Sequence, residues 1–274
     1  ADHMAMAQSA DQFSSGIFTL AGIFLGGFFI YLKYSSVYIT LIGISIFALM
    51  IVFMPGTIKV SQRRKVKNGF RSTVKIMKNI VPFLLLTMLL NGMFVAIDVF
   101  ASGLVYIVMH ASSVYYTFFI AGFPAGMLAG GLISMHSFYR KYQNSKKLMA
   151  VYIFLTGIIF VLISFNRIPF MDGIFTFLSG VILAFVNVYI ETTVINAIPS
   201  SITGKFNSLT AMFSVSSSPV MAFVFGELSE FLYFPYIITL VGIIMALSAL
   251  IVVKVMDSFS NAMSKIQNEN PELF

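Results

Sequence analysis

Apolar residues run through this chain in blocks of helical length, separated by short polar interruptions. Eight such blocks stand out: residues 16–32, 36–54, 80–100, 113–135, 149–165, 173–190, 208–225 and 231–253. Each is too long for a strand, and none alternates polar with apolar as a barrel strand must. A helix of ~20 apolar residues spans a bilayer. Backbone groups in lipid must be paired within the segment, so each block predicts a membrane helix. The fold class expected is an all-α polytopic membrane protein with eight spans.

Between the second and third blocks the pattern changes. Phe70, Val74, Met77 and Val81 fall at helical spacing, while Lys75 and Lys78 lie off that stripe. A short amphipathic helix on the membrane surface and a solvated basic loop both fit.

Composition sharpens this picture. Of 274 residues, 58% are hydrophobic and 10% charged, whereas a soluble domain carries about 25% charged residues. A soluble, disordered or nucleic-acid-binding domain is therefore excluded despite a net charge of +7. The chain has no Cys and no Trp, so disulfides and thiolate chemistry are excluded. Any interfacial aromatic belt must come from Tyr and Phe.

The positive charge is placed, not spread. Twelve of the seventeen basic residues lie in the second and fourth connections, from Lys59 to Lys78 and from Arg140 to Lys147. The third connection has none, and the fifth has only Arg167. By the positive-inside rule the even connections, and with eight spans both ends of this chain, face the cytoplasm of a plasma-membrane protein.

Three stretches then fit one pattern. Gly22-Ile-Phe-Leu-Gly26-Gly27 resembles the end of the antiporter motif, Gly-Pro-x-x-Gly-Gly, in the fifth helix of major facilitator superfamily exporters. The motif's proline is Ile23 here, and its earlier glycines are absent. The run from Phe119 to Leu132, with Gly122, Pro124, Gly126, Gly130 and Gly131, is similar to the eighth helix of those exporters. Asn187, Glu191, Pro199, Gly204-Lys205, Ser208, Pro219 and Gly226 resemble their tenth-to-eleventh helix passage, particularly in the macrolide- and drug-efflux branch. The second copy of the family's Gly-x-x-x-Asp-Arg motif is degenerate, with Met135 and His136 near the expected Asp-Arg.

The resemblance implies helices five to twelve of a twelve-helix fold, with the first four, ~120 residues at ~20 per span, missing. It divides the chain into residues 1–54 (the end of an N-terminal half, two spans), 55–79 (a basic cytoplasmic linker), 80–256 (a six-helix C-terminal half) and 257–274 (a cytoplasmic tail). It implies a secondary active transporter working by alternating access. The expected activity is proton-driven export of a drug-like or amphiphilic small molecule. No cofactor is expected beyond the proton gradient. The expected partners are that small molecule, the bilayer and the missing N-terminal helices, with no nucleic acid and no enzymatic activity. Two alternatives stay open: a truncated non-transporting remnant or accessory subunit, and the permease part of an ATP-driven transporter.

Intramembrane polar residues are costly and default to function. Asp98 is flanked by apolar residues on both sides, and Asn91 lies two turns earlier on the same face. Both are candidates for the transport path or its coupling, with Asp98 as a water-reaching interface residue the alternative. Asn187 and Glu191, four apart, share a face and serve either substrate or an inner ion pair. Ser217 belongs to a serine-rich segment whose Pro219 kinks the helix; it lines a cavity or repairs the kink. Gly122, Gly126 and Gly130 form a smooth stripe, with Gly22 and Gly26 as a matching face. The resemblance implies that these two faces meet where the halves slide, and static packing is the alternative. No metal-ligand spacing, P-loop or nucleophile constellation is present.

Overall fold

A computed structural model describes residues 10, 13–14, 16–23, 43–46, 69–136, 145–198 and 203–269. Every regular element among them is helical. The helices are α1 (Gly69–Ser102), α2 (Ser113–Met135), α3 (Lys146–Phe165), α4 (Pro169–Ala197), α5 (Thr203–Phe231) and α6 (Phe234–Glu269). All six are long and apolar enough to cross a membrane, the architecture of a multi-pass membrane protein. Residues 16–23 and 43–46 are helical. The rest of the first two expected spans, and the basic loop from 55 to 68, lie outside the described residues.

The helix ends follow local chemistry. The Ser145 hydroxyl accepts from Leu148 N at 3.4 Å, capping α3. Pro169 opens α4, where its missing N–H costs nothing. α1 takes in the amphipathic segment without a break and passes through Pro82. It then widens into a π-helical turn, Gly103–Val108. His110 adopts a positive φ of 51°, which ends that turn and lets the chain reverse into α2. α6 does not stop at 253 but continues as helix to Glu269. At 1.5 Å per residue it is ~54 Å long, well beyond the ~30 Å of a hydrocarbon core. Its extension is anchored: Phe259 stacks on Phe83 with ring centroids 4.7 Å apart, and Met263 is buried.

Five helix pairs carry most of the packing: α2 with α4, α3 with α6, α1 with α5, α1 with α6, and α3 with α4. This set maps onto itself when α1, α2 and α3 are exchanged for α4, α5 and α6. The contact plan of the first three helices is thus repeated by the last three. α3 and α6 touch backbone to backbone. A Cβ on Gly157 would lie 2.5 Å from Gly242 O, and one on Gly242 would lie 2.7 Å from Gly157 O.

Candidate functional site: two stacked cavities

The polar residues of α1 open onto two cavities at different depths. The first lies toward the end bearing Lys146 and Lys147 (the basic end). It measures ≈ 470 Å³ and is walled by Thr87, Asn91, Asn187, Glu191, Asn207, Thr210 and Ser214, with four apolar side chains. The Asn91 amide donates to Thr87 O at 2.8 Å, and the Thr87 hydroxyl donates to Leu84 O at 2.9 Å. Both side chains are therefore held against their own helix, presenting acceptors to the cavity. The Thr210 hydroxyl is buried there without a hydrogen-bond partner.

The second cavity lies toward the opposite end and measures ≈ 260 Å³. Helices α1 to α4 and the segment 16–23 wall it, with Phe94, Phe119, Phe123 and Phe160 as its aromatic lining. Asp98, Thr176, Ser179 and Thr19 are its polar groups. The Thr176 hydroxyl is bonded to Phe119 O at 2.9 Å and to Gly173 O at 3.0 Å. The Ser179 hydroxyl is buried with no partner.

Between the two lies an aromatic layer. Phe94 packs edge-on against Phe160 at 5.3 Å and tilted against Phe123 at 5.5 Å. Beneath it a void of only ≈ 30 Å³ adjoins Asn91 and Asn187. Asn91 and Asp98 share a helix face as the spacing predicts, but they serve different compartments with Phe94 between them.

The other expected site residues fall into place unevenly. Asn187 and Glu191 line the first cavity together. Ser217 does not reach it. That side chain is fully buried at the α1–α5 contact beside Gly92, its hydroxyl donating to Ser214 O at 2.6 Å. Ser214, one turn earlier, takes the wall position. Pro219 is inside α5, which continues through it.

The glycine stripe requires a correction. Gly122, Gly126 and Gly130 face α4, not the first segment. A Cβ on Gly126 would run into the Phe177 carbonyl oxygen, and one on Gly130 would sit 2.7 Å from Val181 O. Among the described residues, a Cβ on Gly22 has no neighbour within 4 Å. Gly26 lies outside the described residues. The first segment reaches α2 elsewhere, with Gly16 against Leu128.

Sequence reading missed several groups. Asp172 is wholly buried in the first turn of α4, with one oxygen accepting from Asn166 Nδ2 at 2.6 Å and the other unpartnered. The available signal was Pro169, which marks a helix start ahead of Asp172. Ser179 and the phenylalanine layer carry no local signal, because their roles depend on which helices meet.

These features define an all-helical, multi-pass bundle with two cavities that open to its surface. Comparison with protein-family models, curated proteins and solved structures finds no match for this chain.

Proposed function

We propose that this chain is the larger part of a secondary transporter of the major facilitator type, which exports a small amphiphilic molecule by alternating access. The observation that carries the reading is the pair of cavities stacked along α1 and divided by the Phe94–Phe123–Phe160 layer. A transporter needs a path through the bundle that is open from one side at a time. A continuous pore would have no barrier, and a packed core would have no cavity.

α5 supports a larger assembly. Only 11% of its most apolar stretch is buried, and Asn207, Ser208, Ser216 and Ser218 are exposed along it. Those polar positions are costly against lipid. They suit a wall facing an aqueous path closed by helices beyond α1–α6.

The test is reconstitution of the chain in liposomes with an imposed proton gradient. The reading expects amphiphile flux that an uncoupler abolishes and ATP does not affect. Flux that requires ATP and a separate ATPase favours the permease alternative. No gradient-driven flux at all favours the non-transporting subunit.

A further inference from the structure

We infer that the cavity around Asp98 binds a primary arylalkylammonium ion of about ten non-hydrogen atoms, taking ~25–30 Å³ for each. Four features of the cavity select this ligand class. The cavity is ≈ 260 Å³, too small for a macrocycle. Among the described residues its lining includes one acidic side chain, Asp98, and no basic one, so their field favours a cation and rejects an anion. Its walls are phenylalanine faces, which attract cations and stack on aryl rings. Finally, its polar groups offer acceptors. The Thr176 hydroxyl proton is already committed to backbone carbonyls, leaving its oxygen lone pairs. The buried Ser179 oxygen has no partner.

A site this rich in acceptors calls for a ligand that brings its own N–H groups. A primary ammonium has three, against none for a quaternary ammonium. The aromatic walls disfavour a hydrated metal ion, whose water shell they cannot replace. An alcohol of the same shape would leave the Asp98 charge uncompensated.

The inference names the ligand class of the site proposed above, and only the transport step after binding rests on the transporter reading. The test uses the full chain in nanodiscs and radiolabelled phenethylamine, with binding read by scintillation proximity. Unlabelled phenethylamine should displace the label. Phenylethanol, phenylacetate and the trimethylated amine, all sharing the same aryl body, should each be at least tenfold weaker. Asp98→Asn should weaken the amine at least tenfold and erase its advantage over phenylethanol. Ser179→Ala should weaken the primary amine several-fold and leave the trimethylated amine unchanged. Both variants should elute as the wild type does, and the ligand series on unmodified protein stands without them. Equal binding of alcohol and amine, an undiminished Asp98→Asn, or no saturable amine binding would each overturn the inference. Amine binding without gradient-driven flux would leave the site standing and remove the transport reading. Flux of another amphiphile with no amine binding would do the reverse.

Discussion

Gly126→Ala is the sharpest test of how the bundle is held together. The added methyl would point into the Phe177 carbonyl, with Phe177 C at 2.8 Å and Val181 N at 3.0 Å. All three atoms are backbone, so no rotamer change relieves the clash and the axes must separate by roughly 1 Å, within the 8–10 Å range of helix packing. Overpacking of this kind costs about 1–3 kcal/mol. Separation also stretches the buried Thr176 hydroxyl bond to Phe119 O, now 2.9 Å, a bond worth about 1 kcal/mol. Against this, Ala gains up to ~1 kcal/mol over Gly in helix propensity. Gly22→Ala is the reference for that gain, because its methyl meets nothing within 4 Å among the described residues. The difference between the two substitutions should be about 2–4 kcal/mol, or ~30–700-fold in the unfolding constant. Reversible unfolding in SDS mixed micelles, followed by far-UV circular dichroism, reads it directly. The bulkier Gly126→Leu should then fail in folding before it fails in transport. If Gly126→Ala unfolds within 0.5 kcal/mol of Gly22→Ala (a generous error, ~2-fold), the α2–α4 contact is not backbone on backbone.

Gly173→Ala offers a contrast, since its methyl would meet the Phe118 ring rather than backbone; Phe118→Leu should recover most of the lost stability in the same SDS titration. Phe94→Ala should open the aromatic layer and lower stability by about 2–3 kcal/mol, below the full core value because Phe94 is only half-buried. In proteoliposomes it should speed downhill amine flux and abolish gradient-driven accumulation. Asp98 is the one titratable side chain among the described residues lining its cavity, so Asp98→Asn should flatten the pH profile of transport; an unchanged profile removes Asp98 from coupling. The Lys146–Asp257 ion pair spans 2.5 Å with side chains 36% and 52% exposed. Solvent screening should limit it to under ~1 kcal/mol, so a double-mutant cycle should give a small coupling energy that shrinks in high salt.

The spans were legible because hydrophobicity is a local property. Residues 113–135 are a helix from end to end, and 149–165 falls within Lys146–Phe165. Helix ends governed by tertiary contacts were not. α6 outruns its apolar block because Phe259 and Met263 find partners across the bundle. Site residues follow the same division. Asp98, Asn187 and Glu191 declared themselves by being polar where apolar residues are expected, and all three line cavities. Ser217 declared itself in the same way and is packed at a helix contact instead, because a serine can satisfy its hydroxyl within its own helix. Phe94, Phe123 and Phe160 are three among thirty phenylalanines. Nothing in composition separates a barrier from a lipid-facing filler until α1, α2 and α3 are brought together.

The placement of the glycines constrains how such a bundle can move. Contacts in which a Cβ has no room behave as joints only if the helices can part, and parting exposes no alternative partner in lipid. Gly126 on Phe177 and Gly157 on Gly242 therefore tie α2 to α4 and α3 to α6. α1 is pinned to α6 at one end through Phe83 and Phe259, and at the other through Phe100 and Phe234, stacked at 5.8 Å. These ties cross between the first three helices and the last three, so the two sets cannot rock against each other without breaking them. Motion is left to the surfaces the ties do not use: the exposed face of α5, and the α2 face that meets Gly16 at Leu128. The proposed alternating access thus requires α1–α6 to move as one body against helices lying over those two surfaces. The chain's lack of cysteine makes that directly measurable. A disulfide between Ser164→Cys and Thr239→Cys, whose hydroxyl oxygens lie 2.7 Å apart across the α3–α6 contact, should leave flux intact. A bismaleimide bridge between Leu20→Cys and Ala125→Cys, which line one cavity between the first segment and α2, should arrest it. The reverse pattern would place the moving contact inside the six-helix bundle.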